Sequence, residues 1–364
     1  MDYQQWIGKP WTSLDTPALC VDLDTLQRNI DRMAALARDA GVSLRPHIKT
    51  HKCPQIAQML LAAGADGITC AKVSEAEVMV DAGITDILIA NQIMGMFKIQ
   101  RLASLAKRSQ LTVAVDHADN VAMLSQEAER AGVTIGVLIE VDVGMGRCGV
   151  APLEPTLTLA RIVDASPNLE LRGVMGYEGH AVMIPDAGKR AQAVETALAP
   201  LVATATLLRD NGLPCDVVSA AGTGTAAMTA RFPGITEIQP GSYATMDARY
   251  GGLELGFEPA VTIVAQVISV PRDDRAVLDA GLKSATTEFG NPPVRSPEGW
   301  RLAHLSEEHG VLERESGQPL ALGDRVTLIP THGCTTNNLH DRFFAVRDGL
   351  VTDVWTIAAR GCLH

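Results

Sequence analysis

The segment Ser43-Leu44-Arg45-Pro46-His47-Ile48-Lys49, residues 43–49, begins the pattern that decides the fold of this chain. A short apolar run ends in a lysine among polar residues, and a turn and an amphipathic stretch at Pro54–Ala63 follow it. The same order of β-branched run and helix-like stretch recurs along the middle of the chain. The predicted strands are Ser43–Lys49, Gly67–Ala71, Ile87–Asn91, Leu111–Asp116, Gly136–Asp142, Leu171–Tyr177, Asp216–Ala220 and Glu237–Gln239.

Continuous apolar strands that alternate with helices predict a parallel sheet covered on both faces. The intervening amphipathic stretches, such as Pro54–Ala63 and Ser74–Ala82, often end in glycine, as helix C-caps do. Eight such units fit a closed (β/α)8 barrel better than an open doubly wound sheet. No Gly-x-Gly-x-x-Gly motif follows the first strand, which also disfavours the open sheet. The predicted fold class is therefore α/β, with a TIM-like barrel over residues 24–258.

The pattern changes after about Pro259, where turns rather than helices link the apolar runs. The predicted strands of this tail are Val261–Val270, Ala276–Asp279, Arg325–Ile329 and Phe343–Arg347. Asp348-Gly349 between two apolar runs predicts a hairpin. The opening strand Ala18–Asp22 precedes the first helical unit and is assigned to the same tail. The sequence thus predicts an additional all-β domain built from residues 1–23 plus 259–364.

Composition excludes several classes of protein. The 364 residues are 46% hydrophobic and carry a net charge of −11, which disfavours partners such as nucleic acids or anionic membranes. No apolar run reaches the length of a bilayer span, and the first residues lack the layout of a signal peptide. The seven scattered cysteines do not form a secreted-type framework. We therefore expect a cytoplasmic protein with reduced thiols.

Polar residues that could carry chemistry lie at the predicted strand ends, which line one mouth of such a barrel. The amine of Lys49 could form a Schiff base with an aldehyde cofactor, although a solvated turn is the ordinary alternative for that run alone. Two loops rich in glycine and hydroxyl groups, residues 219–225 and 239–243, follow the seventh and eighth strands, where barrels bind phosphate. Together they predict pyridoxal phosphate. The residues assigned to its site are Lys49, Tyr177, Gly222, Thr223, Gly224, Gly241, Ser242 and Tyr243.

A His-x-Cys pair in the β tail predicts a metal site. If the backbone is extended at His332-Gly333-Cys334, the imidazole and the thiolate project to the same side and could chelate a borderline cation such as Zn²⁺. A half-buried cysteine beside a surface histidine is the ordinary alternative. Further ligands, or groups that contact the ligands, could come from Asn337, His340 and Asp341.

Five motifs resemble the D-threonine aldolase and D-serine dehydratase family, in order and over nearly the whole chain. They are Arg-Pro-His-Ile-Lys-Thr-His-Lys, Gly-Arg-Cys-Gly, Gly-Tyr-Glu-Gly-His, Gln-Pro-Gly-Ser-Tyr and Pro-Thr-His-Gly-Cys-Thr-Thr-Asn-Asn-Leu-His-Asp. The resemblance implies a fold-type III pyridoxal phosphate enzyme related to alanine racemase, with a barrel, a β domain, a divalent metal and a homodimeric state.

The same resemblance implies roles for individual residues. Lys49 becomes the Schiff-base lysine, and Arg147 becomes a contact near the phenolic oxygen of the cofactor. His332 and Cys334 become the metal ligands, and His180 becomes the base beside the hydroxyl group of a D-amino acid substrate.

Two reactions occur in this family, and the sequence carries features of both. The aldolase form of the metal segment is matched by Thr336, Asn338, Leu339 and Asp341. Cys334, however, stands where D-serine dehydratases have cysteine and many aldolases have a carboxylate. We favour aldol cleavage, with dehydration as the alternative. The thiolate favours zinc, while manganese and magnesium stay open.

Two further alternatives are an amino acid racemase and a non-catalytic protein that binds pyridoxal phosphate. The β tail with its metal pair counts against the non-catalytic protein, and no motif identifies the second acid–base group that a racemase needs.

Overall fold

The structure, a computed structural model, describes residues 3–364 and divides the chain into two compact units. The barrel unit comprises residues 32–49, 56–241 and 362–364, and the β unit comprises the chain up to residue 31, residues 50–55 and residues 242–361. The β unit therefore includes the short segment that directly follows Lys49. The predicted domain limits, 24–258 for the barrel and 1–23 plus 259–364 for the β domain, stay predictions.

Eight parallel strands form the sheet of the barrel unit, each paired with the next in space. A parallel bridge between His47 and Thr69 joins the two ends of this sheet. It consists of two hydrogen bonds made by the residues on either side of His47: the Ile48 N–H donates to the Thr69 carbonyl at 2.9 Å, and the Thr69 N–H donates to the Pro46 carbonyl at 2.8 Å. The predicted (β/α)8 barrel is confirmed. Its strands are Ser43–Leu44, Ile68–Cys70, Asp86–Gln92, Gln110–Val115, Ile135–Glu140, Leu169–Met175, Val217–Ala220 and Glu237–Ile238.

Every residue of Ile135–Glu140 is buried, as expected for a strand covered on both faces. The predicted glycine caps also form: Gly132 has φ 66° and donates its N–H to the Ala128 carbonyl, a conformation that costs glycine little. The helices are Leu23–Ala40, Pro54–Ala62, Val73–Asp81, Met96–Ala106, Ala118–Ala131, Glu154–Asp164, Ala187–Asp210, Ala226–Thr229, Ala248–Gly251 and Gly333–Asn337.

The expectation that no apolar run reaches the length of a bilayer span is wrong for one helix. Among the described residues, Ala187–Asp210 is long and apolar enough to cross a membrane by length and composition. Its buried side chains include Val194, Leu198 and Leu201. Such a helix is weak evidence for a membrane span.

The first strand is shorter than predicted. Its regular pairing covers Ser43–Leu44 instead of Ser43–Lys49, because Pro46 has no N–H for a ladder hydrogen bond. Lys49 lies half-buried in a turn beyond the strand, where its backbone N–H donates to Nδ1 of His47 at 3.4 Å. Lys49 therefore directly follows the bridge between His47 and Thr69, although the prediction included it within the strand.

Nine strands form the sheet of the β unit. The opening strand Ala18–Asp22 pairs antiparallel with Val261–Arg272 and parallel with Arg342–Arg347, which confirms its predicted place in the all-β part. The Asp348-Gly349 hairpin is also confirmed, with φ values of 51° and 76°. The strands are Ala18–Asp22, Val261–Arg272, Arg275–Leu278, Val294–Ser296, Trp300–Leu305, Gly310–Arg314, Arg325–Leu328, Arg342–Arg347 and Leu350–Thr356. No disulfide joins any of the seven cysteines, all of which lie within residues 3–364.

His51 is a buried titratable group in the core of the β unit. Its side chain is 1% exposed, and its Nδ1 accepts the Cys53 N–H at 3.1 Å. Within residues 3–364 its Nε2 has no hydrogen-bond partner. Burial lowers the pKa of His51 to about 3, so the folded protein holds a neutral imidazole there.

This burial predicts a pH-dependent loss of stability. Unfolded histidine has a pKa of about 6.5, so the unfolded chain binds a proton below that pH while folded His51 does not. From about pH 6 to about pH 4 we expect His51 to cost about 1.4 kcal/mol of unfolding free energy per pH unit. Urea unfolding of His51→Asn across this range should show a shallower pH slope than the wild type. His309→Asn, at an exposed histidine, is the control, and equal slopes for all three proteins would refute the prediction.

Candidate active site

Two cations flank one aromatic ring in the barrel unit. The Lys49 Nζ lies 6.0 Å from the centre of the Tyr177 ring, and the Arg147 guanidinium carbon lies 5.6 Å from the same centre. Tyr177 follows the strand Leu169–Met175, so these side chains meet beyond the carboxyl end of that strand. The structure thus brings together three of the residues predicted for the cofactor site.

A buried carboxylate lies beside Arg147. Glu140 ends the strand Ile135–Glu140, and its Oε1 is 3.8 Å from Nη2 of Arg147. Gln92, from the strand Asp86–Gln92, donates to the other oxygen of Glu140 at 2.5 Å. Burial raises the pKa of Glu140, while the hydrogen bond from Gln92 and the charge of Arg147 oppose that rise. Polar groups from the ends of two strands that are separated by one strand in the sheet therefore meet, as the barrel pattern predicts.

The loop at residues 219–225 is closely packed at its glycines. A β-carbon at Gly222 would stand 3.1 Å from the hydroxyl oxygen of Tyr177, and one at Gly224 would stand 2.0 Å from the Val182 carbonyl oxygen. Thr223 between them is buried. Gly241 in the other predicted loop is equally tight, because a β-carbon there would stand 2.4 Å from the His47 carbonyl oxygen. A β-carbon at Gly224 or Gly241 would collide with backbone, so glycine is required there for the close packing of the two loops.

Glu178 holds the 219–225 loop and was not among the predicted site residues. Its fully buried carboxylate accepts hydrogen bonds from the Ala221 N–H at 3.1 Å, the Thr225 hydroxyl at 2.7 Å and the Thr229 hydroxyl at 2.6 Å. Buried carboxylates need such partners. The signal in the sequence was its place in Gly-Tyr-Glu-Gly-His, but nothing there identified the threonines as its partners.

Substitution of Gly224 tests whether this loop binds the cofactor. The β-carbon of Gly224→Ala would collide with backbone, and relieving such overpacking costs about 1–3 kcal/mol. We expect cofactor affinity to fall by about tenfold or more, since about 1.4 kcal/mol corresponds to tenfold. Titrating the cofactor-free variant with pyridoxal phosphate and following absorbance measures this. Gly251→Ala, where nothing lies within 4 Å, should keep wild-type affinity, and an unchanged Gly224→Ala variant would contradict the prediction.

His180 lies on an exposed turn beyond Tyr177. Its ring stands beside Gly144, with Cε1 3.6 Å from the position that a β-carbon of Gly144 would take. Gly144 belongs to the loop that also carries Arg147. The predicted base therefore lies within the barrel unit, beside the loop of a predicted cofactor contact.

Ser242 and Tyr243 belong to the β unit, directly after Gly241 in the chain. Ser242 is half-buried, whereas Tyr243 is fully buried with its ring centre 5.7 Å from that of Phe257. The ring of Tyr243 therefore packs in the core of the β unit. Its contact with the cofactor stays a prediction.

The predicted metal ligands lie in the β unit on a turn that is less extended than expected. His332 is extended, with φ −140° and ψ 112°, but the helix Gly333–Asn337 begins immediately after it and contains Cys334. The expectation of an extended backbone through all three residues is therefore wrong. The two side chains nevertheless interact, since Cys334 contributes to a raised pKa of His332.

Charged neighbours surround His332. Burial favours its neutral form, but Cys334 and Glu288 together outweigh burial and raise the pKa of His332 to about 9. The sulfur of Cys334 also lies 3.3 Å from the Thr50 hydroxyl. An imidazole beside a thiol is the donor set that Zn²⁺ and similar cations prefer, so these residues fit a divalent metal. Within residues 3–364 no group of three or more His, Cys, Asp or Glu side chains forms a metal site, so the protein offers a pair of ligands.

Asp247, which was not predicted, fixes the turn between the two ligands. One oxygen of its carboxylate accepts the Gly333 N–H at 3.0 Å, and the other accepts the Tyr250 N–H at 3.0 Å. Burial raises the pKa of Asp247, and these two hydrogen bonds oppose the rise.

The three residues named as possible additional ligands have other partners. Asn337 donates to the Thr50 carbonyl at 2.8 Å, and His340 Nε2 lies 2.8 Å from the Ser284 carbonyl. Asp341 forms an ion pair with Arg360 at 2.8 Å. These contacts stabilise the segment that carries His332 and Cys334.

Comparison with known proteins places the chain in a family. Residues 21–249 match the alanine racemase N-terminal domain, and residues 260–346 match a putative serine dehydratase domain. The D-threonine aldolase of Arthrobacter sp is 43% identical over 97% of this chain and 95% of its own length. The chain belongs to the D-threonine aldolase family. The crystal structure of D-threonine aldolase from Filomicrobium marinum, 40% identical, superposes with a TM-score of 0.95 over 98% of this chain and 99% of that one.

The D-threonine aldolase family also has relatives with other substrates and reactions. The 3-hydroxy-D-aspartate aldolase of Paracoccus denitrificans (strain Pd 1222) is 36% identical over 97% of this chain and 94% of its own. The D-threo-3-hydroxyaspartate dehydratase of Delftia sp. (strain HT23) is 34% identical over 89% and 92%. A structure of such a dehydratase, with a cysteine replaced by alanine, shows a metal-free form. It is 30% identical to this chain, with a TM-score of 0.87 over 96% of this chain and 98% of that one.

Proposed function

We propose that this member of the D-threonine aldolase family is a pyridoxal phosphate- and divalent-metal-dependent aldolase that cleaves D-3-hydroxy amino acids of the D-threonine type to glycine and an aldehyde. The observation that carries the proposal is 43% identity over 97% of the chain to a D-threonine aldolase. The meeting of Lys49, Arg147 and Tyr177 and the His332–Cys334 pair support it.

The residues of the barrel mouth would hold the cofactor. Lys49 would attach it through Nζ, and Arg147 would donate hydrogen bonds to its phenolic oxygen while Glu140 orients the guanidinium. The face of Tyr177 lies beside both cations. The phosphate would be bound by backbone N–H groups and hydroxyls of the two glycine-rich loops. Those residues are Gly222, Thr223, Gly224, Gly241, Ser242 and Tyr243.

His332 and Cys334 would hold the divalent cation, for which the thiolate favours zinc over manganese or magnesium. When bound, the cofactor supplies an electron sink and the cation supplies a Lewis acid. His180 would take the proton of the substrate hydroxyl, which releases the aldehyde as the Cα–Cβ bond breaks.

Dehydration is the second candidate. Cys334 and the 34% identity to D-threo-3-hydroxyaspartate dehydratase favour it. In that reaction Lys49 would take the Cα proton instead, the hydroxyl group would leave, and the products would be a 2-oxo acid and ammonia. The two reactions therefore differ in which proton the chain removes from the same class of substrate.

Product analysis separates the two reactions. The purified protein is supplied with pyridoxal phosphate and with zinc or manganese, and is then incubated with D-threonine. Acetaldehyde and glycine are the expected products. 2-Oxobutanoate and ammonia would assign the dehydratase instead. Conversion to L-threonine, or no product with either metal, would reject both lyase activities.

The role of His180 has its own test. We expect His180→Ala to slow aldol cleavage by about a hundredfold or more, because a general base contributes about that much. Its exposed position should leave folding, cofactor absorbance and metal content unchanged. Steady-state rates are compared with those of His309→Ala, an exposed histidine of the β unit. Undiminished turnover in His180→Ala would remove His180 from the mechanism.

We place the enzyme in the cytoplasm as a homodimer, on the basis of its seven cysteines without disulfides and of the family resemblance. Light scattering should give twice the mass of the chain, and a monomer would contradict the dimer.

A further inference from the structure

A carboxylate lies against Nδ1 of the proposed metal-ligand histidine. Oε2 of Glu288 is 2.7 Å from Nδ1 of His332. The two residues are 44 positions apart in the chain, and both belong to the β unit. The side chain of Glu288 is 42% exposed, while that of His332 is 23% exposed. Nothing in the proposed reaction described so far uses Glu288.

The contact decides which nitrogen of His332 is available to a cation. A carboxylate only accepts hydrogen bonds when ionised, so Nδ1 must carry the proton that it shares with Glu288. When the ring loses its other proton to become neutral, the lone pair is therefore on Nε2. The opposite tautomer would place the Nδ1 lone pair against the carboxylate oxygen, which is repulsive. Glu288 therefore selects the tautomer that presents Nε2 as a ligand.

Glu288 is itself held in place, and so is the ring that it contacts. The Thr335 hydroxyl donates to Oε2 of Glu288 at 3.4 Å, and Thr335 directly follows Cys334. The neighbouring Phe289 packs its ring centre 5.1 Å from that of His332. The Arg249 guanidinium stacks on Phe289 at 3.3 Å. The edge and the face of the imidazole are thus both supported.

The charges are also balanced for a divalent ion. Once a cation has displaced the proton from Nε2, a thiolate at Cys334 and the carboxylate of Glu288 would carry two negative charges beside a neutral imidazole. Because hydrogen bonding to a carboxylate raises the basicity of a ligating histidine, removing such a partner typically weakens metal binding by about 10–100-fold.

We propose that Glu288 is the positioning residue of the metal site: through its hydrogen bond to Nδ1 it fixes the tautomer and orientation of His332 and strengthens cation binding at Nε2. The inference rests on the proposed metal function of His332 and Cys334. It assigns to Glu288 no contact with the metal or the substrate.

The test measures metal affinity rather than turnover. The pyridoxal phosphate-loaded protein is stripped of metal with a chelator, and Zn²⁺ and Mn²⁺ are titrated against a chromophoric competitor. We expect Glu288→Ala to weaken both affinities by about 10–100-fold. Glu288→Gln should weaken them less, since its amide oxygen can still accept from Nδ1 but has no charge. Glu308→Gln, an exposed carboxylate paired with Lys283, should match the wild type.

A purely structural role is separated by two further measurements. The metal-free Glu288→Ala protein should keep the cofactor absorbance and the Tm of the metal-free wild type. If the metal affinity of Glu288→Ala is within twofold of the wild-type value, the positioning role of Glu288 is overturned, but the metal function of His332 and Cys334 is not. A fall in the metal-free Tm that accounts for the loss of affinity would overturn the positioning role too. A wild type that binds neither cation would overturn the metal function itself, and the positioning role with it.

Discussion

Replacing Lys49 with alanine is expected to abolish the yellow absorbance of the bound cofactor and to lower turnover by about a thousandfold or more. The physical reason is that alanine has no amine with which to form the covalent bond. In the structure Lys49 lies on a turn with its Nζ 6.0 Å from the Tyr177 ring, in the company of Arg147. Absorbance spectra of the purified variant, before and after addition of pyridoxal phosphate, provide the measurement.

Lys98→Ala is the matched control for Lys49→Ala. Lys98 is an exposed lysine on the helix Met96–Ala106 of the barrel unit, and its loss should leave absorbance and turnover at wild-type values. A cofactor band that persists in Lys49→Ala would assign the covalent bond to another amine. Lys52, in the same motif, would then be the first residue to replace.

The second large effect is expected from the metal pair. His332→Ala and Cys334→Ala should each give yellow protein with little bound metal and with activity reduced by about a hundredfold or more, because one remaining ligand holds a cation weakly. The cofactor band should survive because the residues proposed to attach and contact the cofactor, such as Lys49 and Arg147, belong to the barrel unit. Metal content by elemental analysis and absorbance of the same samples check both halves of the expectation.

Cys362→Ala and His309→Asn are the controls for the metal pair, since they replace the same residue types elsewhere in the chain. Both should retain metal and activity. Full metal occupancy in either His332→Ala or Cys334→Ala would exclude that residue as a ligand. Loss of both the metal and the cofactor band would instead indicate that the substitution had damaged the fold.

The barrel could be predicted because its strands are buried on both faces. Ile135–Glu140 is one continuous buried run, and such a run has few alternatives in a chain with alternating helices. The first strand was predicted too long, since apolar pattern alone does not show where Pro46 interrupts regular pairing. The turn at His332 was likewise predicted as extended, because a helix as short as Gly333–Asn337 has no periodic signal.

The site residues that could be predicted are those with reactive or polar side chains that directly follow a predicted strand. Lys49 and Tyr177 follow strands, so the barrel rule gathers them without knowledge of their contacts. Glu178 and Glu288 could not be predicted, because their roles come from partners 47 and 44 residues away that no motif connects. A carboxylate that holds a loop or a histidine has the same local sequence as one that faces water.

The short segment after Lys49 limits how this protein can be rearranged by recombination. Residues 50–55 count among the β unit, where Asn337 donates to the Thr50 carbonyl and the Ala359 N–H donates to the Lys52 carbonyl at 3.0 Å. A gene fragment that ends at residue 241 would encode every barrel strand, yet it would leave these carbonyl groups without their donors. The β unit is therefore not a detachable module. An exchange of the β unit between relatives would also have to exchange residues 50–55, which directly follow Lys49.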